Sequence, residues 1–378
     1  MASRQLTVLQ LLPHLEGGGV ERGTLDVSAE LVRRGHRSLV MSGGGRLVDG
    51  LNGAGGEHLL WPIGEKSLWT FRYVRRLRRF LQQERVDILH ARSRVPAWIA
   101  YLAWKKMDPS QRPRFVTTVH GLYSVSGYSA IMTRGERVIA VSDTARRYIL
   151  DNYPDVPEER ISVIYRGVDR DEFPRGYTPP GEWLDTWYGS YPQLRKGIVL
   201  TLAGRLTRLK GHVDFIELIA GLRNRGIDAH GLIVGGEDPR RLEYAREIRD
   251  KCAELGVADQ VIFTGHRSDV REIYAVSDVV FSLSTKPESF GRTVVEALSL
   301  GVPVVGYDHG GVGEILQQLF PQGRVPLGDK AGLIASVEAI LSAGPEVEAF
   351  SGYTLQSMLD RTIDVYEELL DSAEKAKG

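Results

Sequence analysis

Short apolar runs rich in β-branched residues alternate with helical spacing along almost the whole chain, and the rhythm breaks once, just after Tyr165. Parallel sheets require such a rhythm, because each parallel pairing needs a crossover that a helix supplies. Strands are predicted in the first half at 6–12, 38–42, 86–90, 115–120 and 138–141, with helices near 20–34, 69–85, 95–106 and 143–152. The break, RGVDRDEFPRGYTPPGEWLDTWYGSYPQLRKG, is rich in Pro, Gly and charge and reads as an interdomain region. Further strands are predicted at 197–204, 230–236, 261–265, 278–284 and 302–307, and a helix over 353–373 closes the chain.

The expectation is an α/β protein of two doubly wound domains facing across a cleft, with the last helix closing back on the first domain. The boundaries expected are 1–175, a linker over 176–196, a second domain over 197–352 and the closing helix and tail over 353–378. A chain of 378 residues, 42% hydrophobic and 25% charged, can bury two such cores. The single cysteine, Cys252, excludes an internal disulfide and a cysteine zinc cluster and fits a reducing cytosol. No apolar run approaches the roughly 20 residues of a spanning helix, and the N-terminus alternates like a strand instead of a signal peptide. A cytoplasmic protein, at most peripheral to the inner face of a membrane, is expected.

Zero net charge conceals an asymmetry. Residues 1–180 hold 27 Lys+Arg against 19 Asp+Glu, and the remainder holds 21 against 29. An anionic partner for the first half follows from that. The helix over 69–85 carries five arginines between Arg72 and Arg79 opposite an apolar set of Trp69, Tyr73, Leu77, Phe80 and Leu81. It reads either as a surface for anionic lipid or as a solvated face over a core stripe. Arg92 and Arg94 follow a predicted strand and are expected to point into the cleft, where they could meet phosphate or carboxylate groups of an anionic acceptor. No nucleic-acid motif is present, and nucleic acid is not an expected partner.

Two stretches carry the chemistry. AGRLTRLKG, 203–211, follows a strand and opens a helix, where Arg205 can fork onto phosphate and Lys210 adds a compact charge. A solvated basic turn is the other reading. KPESFGRTVVEALSLGVPVV, 286–305, places Glu288 just before a helix and Glu296 inside it, with the Phe290, Gly291 and Arg292 amides crowning the helix start. Two carboxylates beside such a crown can accept hydroxyls of a sugar and a ribose. Alternatively Glu288 merely favours the helix dipole and Glu296 faces water.

The Glu288-x7-Glu296 spacing, the G-R-L-x-x-x-K-G run at 204–211, the GGVE turn at 18–21, His120-Gly121 and the GGVGE turn at 310–314 together resemble the retaining nucleotide-sugar glycosyltransferases of family 4, which have the GT-B fold. The resemblance implies a sugar transferred from a nucleoside-diphosphate sugar, a uridine diphosphate sugar foremost, to a cell-envelope glycan or glycolipid such as a lipopolysaccharide core. It implies catalytic roles for His120, Arg205, Lys210 and Glu288. It implies donor contacts from Gly18, Gly19, Gly204, Gly265, His266, Ser289, Phe290, Gly291, Arg292 and Glu296. No cofactor or metal is expected, on the supposition that the chain has no Asp-x-Asp triplet to hold one. Where the family often has Asn-Gly before the interdomain region, this chain has Arg166-Gly167. An epimerase, a hydrolase or an inactive binding protein of the same fold are the rival readings.

Overall fold

The computed structural model describes residues 4–237 and 242–375 and divides the chain into two compact units. The first comprises residues 1–165 and 356–378, the second residues 166–355.

The first unit is a parallel sheet of β1 (Thr7–Leu11), β2 (Arg37–Ser42), β3 (Glu57–Leu60), β4 (Ile88–Ala91), β5 (Arg114–Val119), β6 (Arg137–Ala140) and β7 (Ile161–Val163), in the order β3-β2-β1-β4-β5-β6-β7. The second repeats the plan with β8 (Ile198–Ala203), β9 (Ala229–Val234), β10 (Val261–Gly265), β11 (Val279–Ser282), β12 (Val304–Tyr307) and β13 (Arg324–Val325), in the order β10-β9-β8-β11-β12-β13. Each order reverses direction beside its first strand, between β1 and β4 and between β8 and β11. Ligands of such sheets bind at the carboxyl ends of the strands at this reversal. Central strands are apolar because helices cover both faces: Leu9, Leu11, Leu200 and Phe281 are fully buried.

The edge strands β3, β7 and β13 are absent from the predicted set. Their sequences are short or partly exposed, so no buried apolar run announces them. The interdomain linker expected over 176–196 also needs correction. It contains a helix, Gly181–Ser190, and buries Trp187 and Leu194 with Val199, Leu232 and Ile273 in the core of the second unit. Its aromatic residues supply the reason, since Trp183 stacks on Trp187 at 5.0 Å and donates to Asp269 Oδ2 at 2.7 Å. At Arg166-Gly167 a side chain in place of the glycine would meet the Thr354 backbone at 2.2 Å. The chain pairs there through Val168 N to Tyr353 O at 2.8 Å.

The last helix, Leu355–Lys375, belongs to the first unit from Gln356 onward. Tyr366 is buried, and its hydroxyl shares a 2.7 Å hydrogen bond with His90 Nδ1, whose other ring nitrogen meets Thr118 Oγ1 at 2.6 Å. Complete burial, aided by nearby Arg92, holds the His90 imidazole well below its usual range and therefore neutral. Gln356 reaches Glu30 at 3.3 Å, and Arg34 pairs with both Glu30 and Asp360.

Candidate functional site

At the carboxyl edge of the second sheet, the loops after β8, β11 and β12 interlock. The chain leaves β8 at Gly204, forms a single turn at Arg208–Lys210, and enters the helix His212–Asn224 through Gly211. Gly211 has φ +73°, and a side chain there would lie 2.1 Å from Leu283 O. Only glycine tolerates both conditions, which lets the β8 loop lie directly on the β11 loop. Thr285 N then donates to Leu209 O at 2.9 Å.

This docking carries Lys210 to Glu288, Nζ to Oε1, at 2.7 Å, with each side chain about one-third exposed. The Ser284 hydroxyl donates to the same carboxylate oxygen. Arg205 is exposed, and among the described residues no hydrogen bond or ion pair engages its guanidinium. Beyond Glu288 the chain passes Ser289 and buried Phe290 and starts the helix Arg292–Leu300 at Gly291. A helix start favours an anion.

Glu296 settles the choice left open by the spacing. It is 7% exposed, so it does not face water, and Arg292 Nε donates to its Oε1 at 2.5 Å. Its charge lies close to buried Tyr274, whose phenol is driven upward first by desolvation and then by that carboxylate. A ribose hydroxyl here would share Glu296 with Arg292.

The β12 loop completes the arrangement. Gly310 has φ +59°, and a side chain there would strike the Glu288 backbone at 2.8 Å; one on Gly311 would lie 2.5 Å from Phe290 Cα. Gly311 N donates to Glu288 O at 2.7 Å, and His309 Nε2 lies 2.6 Å from Ser284 O. The GGVGE stretch, read as a turn in the sequence, opens the helix Gly310–Leu319, and its first two glycines hold the backbone that bears Glu288. Ser284 and His309 were not among the predicted residues: their contacts join positions 4 to 25 residues apart, and no periodicity marks them. Gly265 ends β10 and exposed His266 follows it; a side chain on Gly236, after β9, would pack 3.4 Å from His266 Cβ.

The corresponding edge of the first sheet is different in kind. Gly18 precedes the helix Gly19–Arg33, and the Glu21 carboxylate folds over it, within 2.4 Å of where a Gly18 side chain would begin. His120 follows β5 directly and is half-buried. Arg92 is not held out to an acceptor as expected. It is 6% exposed and donates from Nη1 to Gln10 Oε1 at 2.6 Å, and burial lowers its pKa. It follows β4 directly, and its own amide bonds Leu11 O at 2.9 Å, so it continues the pairing with β1, whose Gln10 binds the side chain. Arg94 is half-buried beneath two rings, 4.7 Å from the Tyr123 centroid and 5.3 Å from that of Tyr128. Beside it opens a cavity of about 390 Å³ lined by Phe71, Val95, Trp98, Ile99 and Tyr128, with Lys66 at its margin.

The arginine-rich stretch divides in two. Residues Leu68–Arg72 form a single-turn helix, and the α-helix starts only at Tyr73, running to Gln83. Tyr73, Leu77 and Leu81 are buried, whereas Trp69, expected in the same stripe, is 78% exposed and Phe71 48%. The Ser67 hydroxyl accepts from Trp69 N, which fixes the separate turn and swings the indole out.

Asp169-Arg170-Asp171 is an Asp-x-Asp triplet, so the supposition that the chain has none fails. Asp171 N bonds Asp169 Oδ1 at 2.9 Å, and the described residues hold no cluster of three His, Cys, Asp or Glu side chains able to bind a metal. No helix among them is long and apolar enough to cross a membrane.

Two family models match successive parts of the chain, Glycosyltransferase Family 4 over residues 17–172 and Glycosyl transferases group 1 over residues 190–356. The N-acetyl-alpha-D-glucosaminyl L-malate synthase of Bacillus anthracis is 28% identical over 337 residues, covering 85% of this chain and 83% of its own. The crystal structure of a glycosyltransferase from Rickettsia africae superposes with a TM-score of 0.86 at 28% identity, covering 97% of this chain and 99% of its own. Anabaena HepE, solved with UDP-glucose, shares the fold at 19% identity with a TM-score of 0.78, covering 97% of this chain and 100% of its own. The two matched models, the order of the two sheets and the interlocked loops agree: the chain is a glycosyltransferase of family 4, with the two Rossmann-like halves of the GT-B fold.

Proposed function

We propose that the protein is a retaining, metal-independent glycosyltransferase that moves a sugar from a nucleoside diphosphate, uridine diphosphate foremost, to an anionic acceptor of the cell envelope. The observation that carries this reading is the meeting of exposed Arg205, Lys210, Glu288 and a helix N-terminus at the β8–β11 reversal of the second sheet. A diphosphate has three kinds of partner there: a planar fork, a compact ammonium and backbone amides. HepE binds UDP-glucose on the same fold, which supports a nucleotide-sugar donor for this chain.

In the proposed reaction the bond from the sugar's anomeric carbon to the diphosphate oxygen breaks, and the acceptor oxygen bonds that carbon from the same face. The acceptor proton passes to the departing phosphate oxygen. Arg205 and Lys210 neutralise the charge that develops on the leaving group, a contribution of about 3–4 kcal/mol for a preorganised donor in such a site. Glu288 orients sugar hydroxyls; Lys210 and Ser284 already occupy its Oε1, which argues against its use as a nucleophile. Glu296 and Arg292 serve the ribose, the backbone about Gly265 and His266 the base, and His120, Gly18 and Gly19 the sugar and its phosphate.

For the acceptor, the support is the basic first half, half-buried Arg94 and the exposed Trp69 and Phe71 beside Arg72, Arg75, Arg76 and Arg79. An anionic glycolipid such as a lipopolysaccharide core, met at a negatively charged membrane surface, fits that mixture. A small carboxylate acceptor is the second reading, favoured by the malate synthase relative. Radiolabelled transfer from a panel of nucleotide sugars to envelope glycolipids and to malate tests both. Transfer is expected to fall by two to three orders of magnitude, about the loss seen on removing one such donor, in Arg205→Ala. An unchanged rate in that folded variant, or release of free sugar without transfer to any acceptor, contradicts the proposal.

A further inference from the structure

We infer that the first unit has a second anion site, on the amino-terminal edge of its sheet, which takes a small soluble phosphate ester such as a hexose phosphate. A cavity of about 580 Å³ opens there, within the range of small-molecule sites. Its walls are the segments that precede β1, β4 and β5, around Arg4, Arg85–Asp87 and Pro109–Arg114, together with the end of the helix Tyr73–Gln83. Gly18, Arg94 and His120 lie past the other ends of the same strands, so this cavity is separate from the edge assigned to the transfer reaction.

Four arginines and a single aspartate line the cavity. Two of the arginines are already neutralised. Arg4 meets Asp87 Oδ1 at 2.6 Å, while the other oxygen of Asp87 accepts Thr7 N at 2.8 Å. Arg114 bonds Glu136 at 2.6 Å and the Leu369 carbonyl at 3.0 Å. Among the described residues, Arg85 and Arg112 have no carboxylate partner. The Arg112 guanidinium lies over the Trp104 ring, 3.6 Å from its centroid.

Arg85 is the more telling residue. It has φ +50°, just after the helix Tyr73–Gln83, where glycine ordinarily ends a helix. A non-glycine residue in that conformation costs about 1 kcal/mol. The chain accepts this strain and gains a cation on the cavity wall, a pattern that marks functional positions. Two unpaired guanidinium forks suit the oxygens of a phosphate dianion, and Gln82, Ser110 and Gln111 offer neutral partners for hydroxyls. None of the exposed large apolar side chains among the described residues lines the cavity, which favours a soluble ester over a lipid. Leu370 is part of the wall, so an occupied site would also brace the last helix against the sheet.

Isothermal titration of the full chain with glucose 6-phosphate tests the site, performed in an Arg205→Ala background so that the donor loop does not contribute. Binding is expected to persist in that background, to exceed that of glucose at least tenfold, and to weaken at least tenfold in Arg85→Gly/Arg112→Gln. Arg85→Gly alone is expected to weaken binding about threefold without lowering the melting temperature, since glycine relieves the strained turn. Absence of binding, equal affinity for glucose, or undiminished affinity in the folded double variant overturns the inference. So does binding only to phosphatidylglycerol vesicles, which would assign the arginines to a lipid headgroup.

Discussion

The two sheets run in the same order about their first strand, yet their carboxyl edges are made of different materials. In the second unit three loops are fastened by glycine contacts, and the charges sit on top: Lys210 against Glu288, Ser284 beneath it, Arg205 exposed. In the first unit Arg92 has sunk into the interior, Arg94 lies under two tyrosines, and an apolar cavity with exposed Trp69 and Phe71 nearby takes the place of a charged loop. One edge is specified by electrostatics and backbone approach, the other by shape and apolar surface. That difference suits a transferase whose donor always carries a diphosphate while its acceptor is an individual matter.

The comparison breaks most sharply at Lys210. Lys210→Ala is expected to lower turnover about a hundredfold, because it removes a leaving-group charge and leaves Glu288 without its cation. Glu288→Gln should also slow transfer while leaving nucleoside diphosphate affinity within a few fold, since Lys210 is then released to the phosphate. Equal loss of diphosphate affinity in both variants would mean the ion pair serves the fold and not the donor. Steady-state kinetics with paired binding measurements separates the two.

Next in size is the glycine scaffold. Gly311→Ala places a methyl 2.5 Å from Phe290 Cα, a backbone neighbour that cannot turn aside. A destabilisation of about 2 kcal/mol and a loss of activity are expected. Gly53→Ala, in the first unit with nothing within 4 Å, should leave the melting temperature unchanged. Similar melting temperatures for both variants would contradict the close packing of the β12 loop.

The units should also answer acid differently. In the second, fully buried His212 has its pKa lowered to about 4 by desolvation. A depressed histidine stabilises the fold above its unfolded value near 6.5 and loses that contribution as the pH falls toward 4, here about 3 kcal/mol. In the first, Glu30 is held at about 2 by hydrogen bonds from Arg33, against the opposing effect of burial. Its contribution is complete above about 4.5 and disappears toward pH 2. Denaturant unfolding from pH 7 to 3 should show the first loss in wild type and a shallower slope in His212→Gln. An unchanged slope would remove His212 from the account.

The smallest effect is expected at the exposed aromatic turn. Trp69→Ser should reduce binding to phosphatidylglycerol vesicles several-fold, with soluble-acceptor transfer intact. No change in vesicle co-sedimentation would separate the turn from any membrane role.

What the sequence made legible follows the same division. Central strands such as Val279–Ser282 announce themselves as apolar runs because both faces are covered. Edge strand Glu57–Leu60 does not, since Glu57 and Leu60 are exposed and its alternation is too short to register. The donor loops could be read because Arg205, Lys210, Glu288 and Glu296 are chemically distinctive and stand at recognisable spacing. Their mutual contacts could not: the Lys210–Glu288 pair spans 78 positions, and only the docking of two loops creates it. Trp69 was misread because its direction was taken from helical periodicity, whereas a single-turn helix before Tyr73 swings it out; Arg92 was misread because its place after a strand does not reveal that Gln10 on the neighbouring strand binds its side chain. The aromatic residues of 181–191 were likewise taken for linker because Pro and Gly surround them, although Trp187 is part of a buried core and Trp183 and Tyr191 pack against it.

Titration calorimetry of the full chain with uridine diphosphate and with uridine tests the central claim most directly. If the β8 and β11 loops grip a diphosphate, the diphosphate binds at least a hundredfold more tightly than the nucleoside, and Arg205→Ala/Lys210→Ala removes most of that advantage. Equal affinities for nucleoside and diphosphate, or an advantage that survives the double substitution, would contradict it.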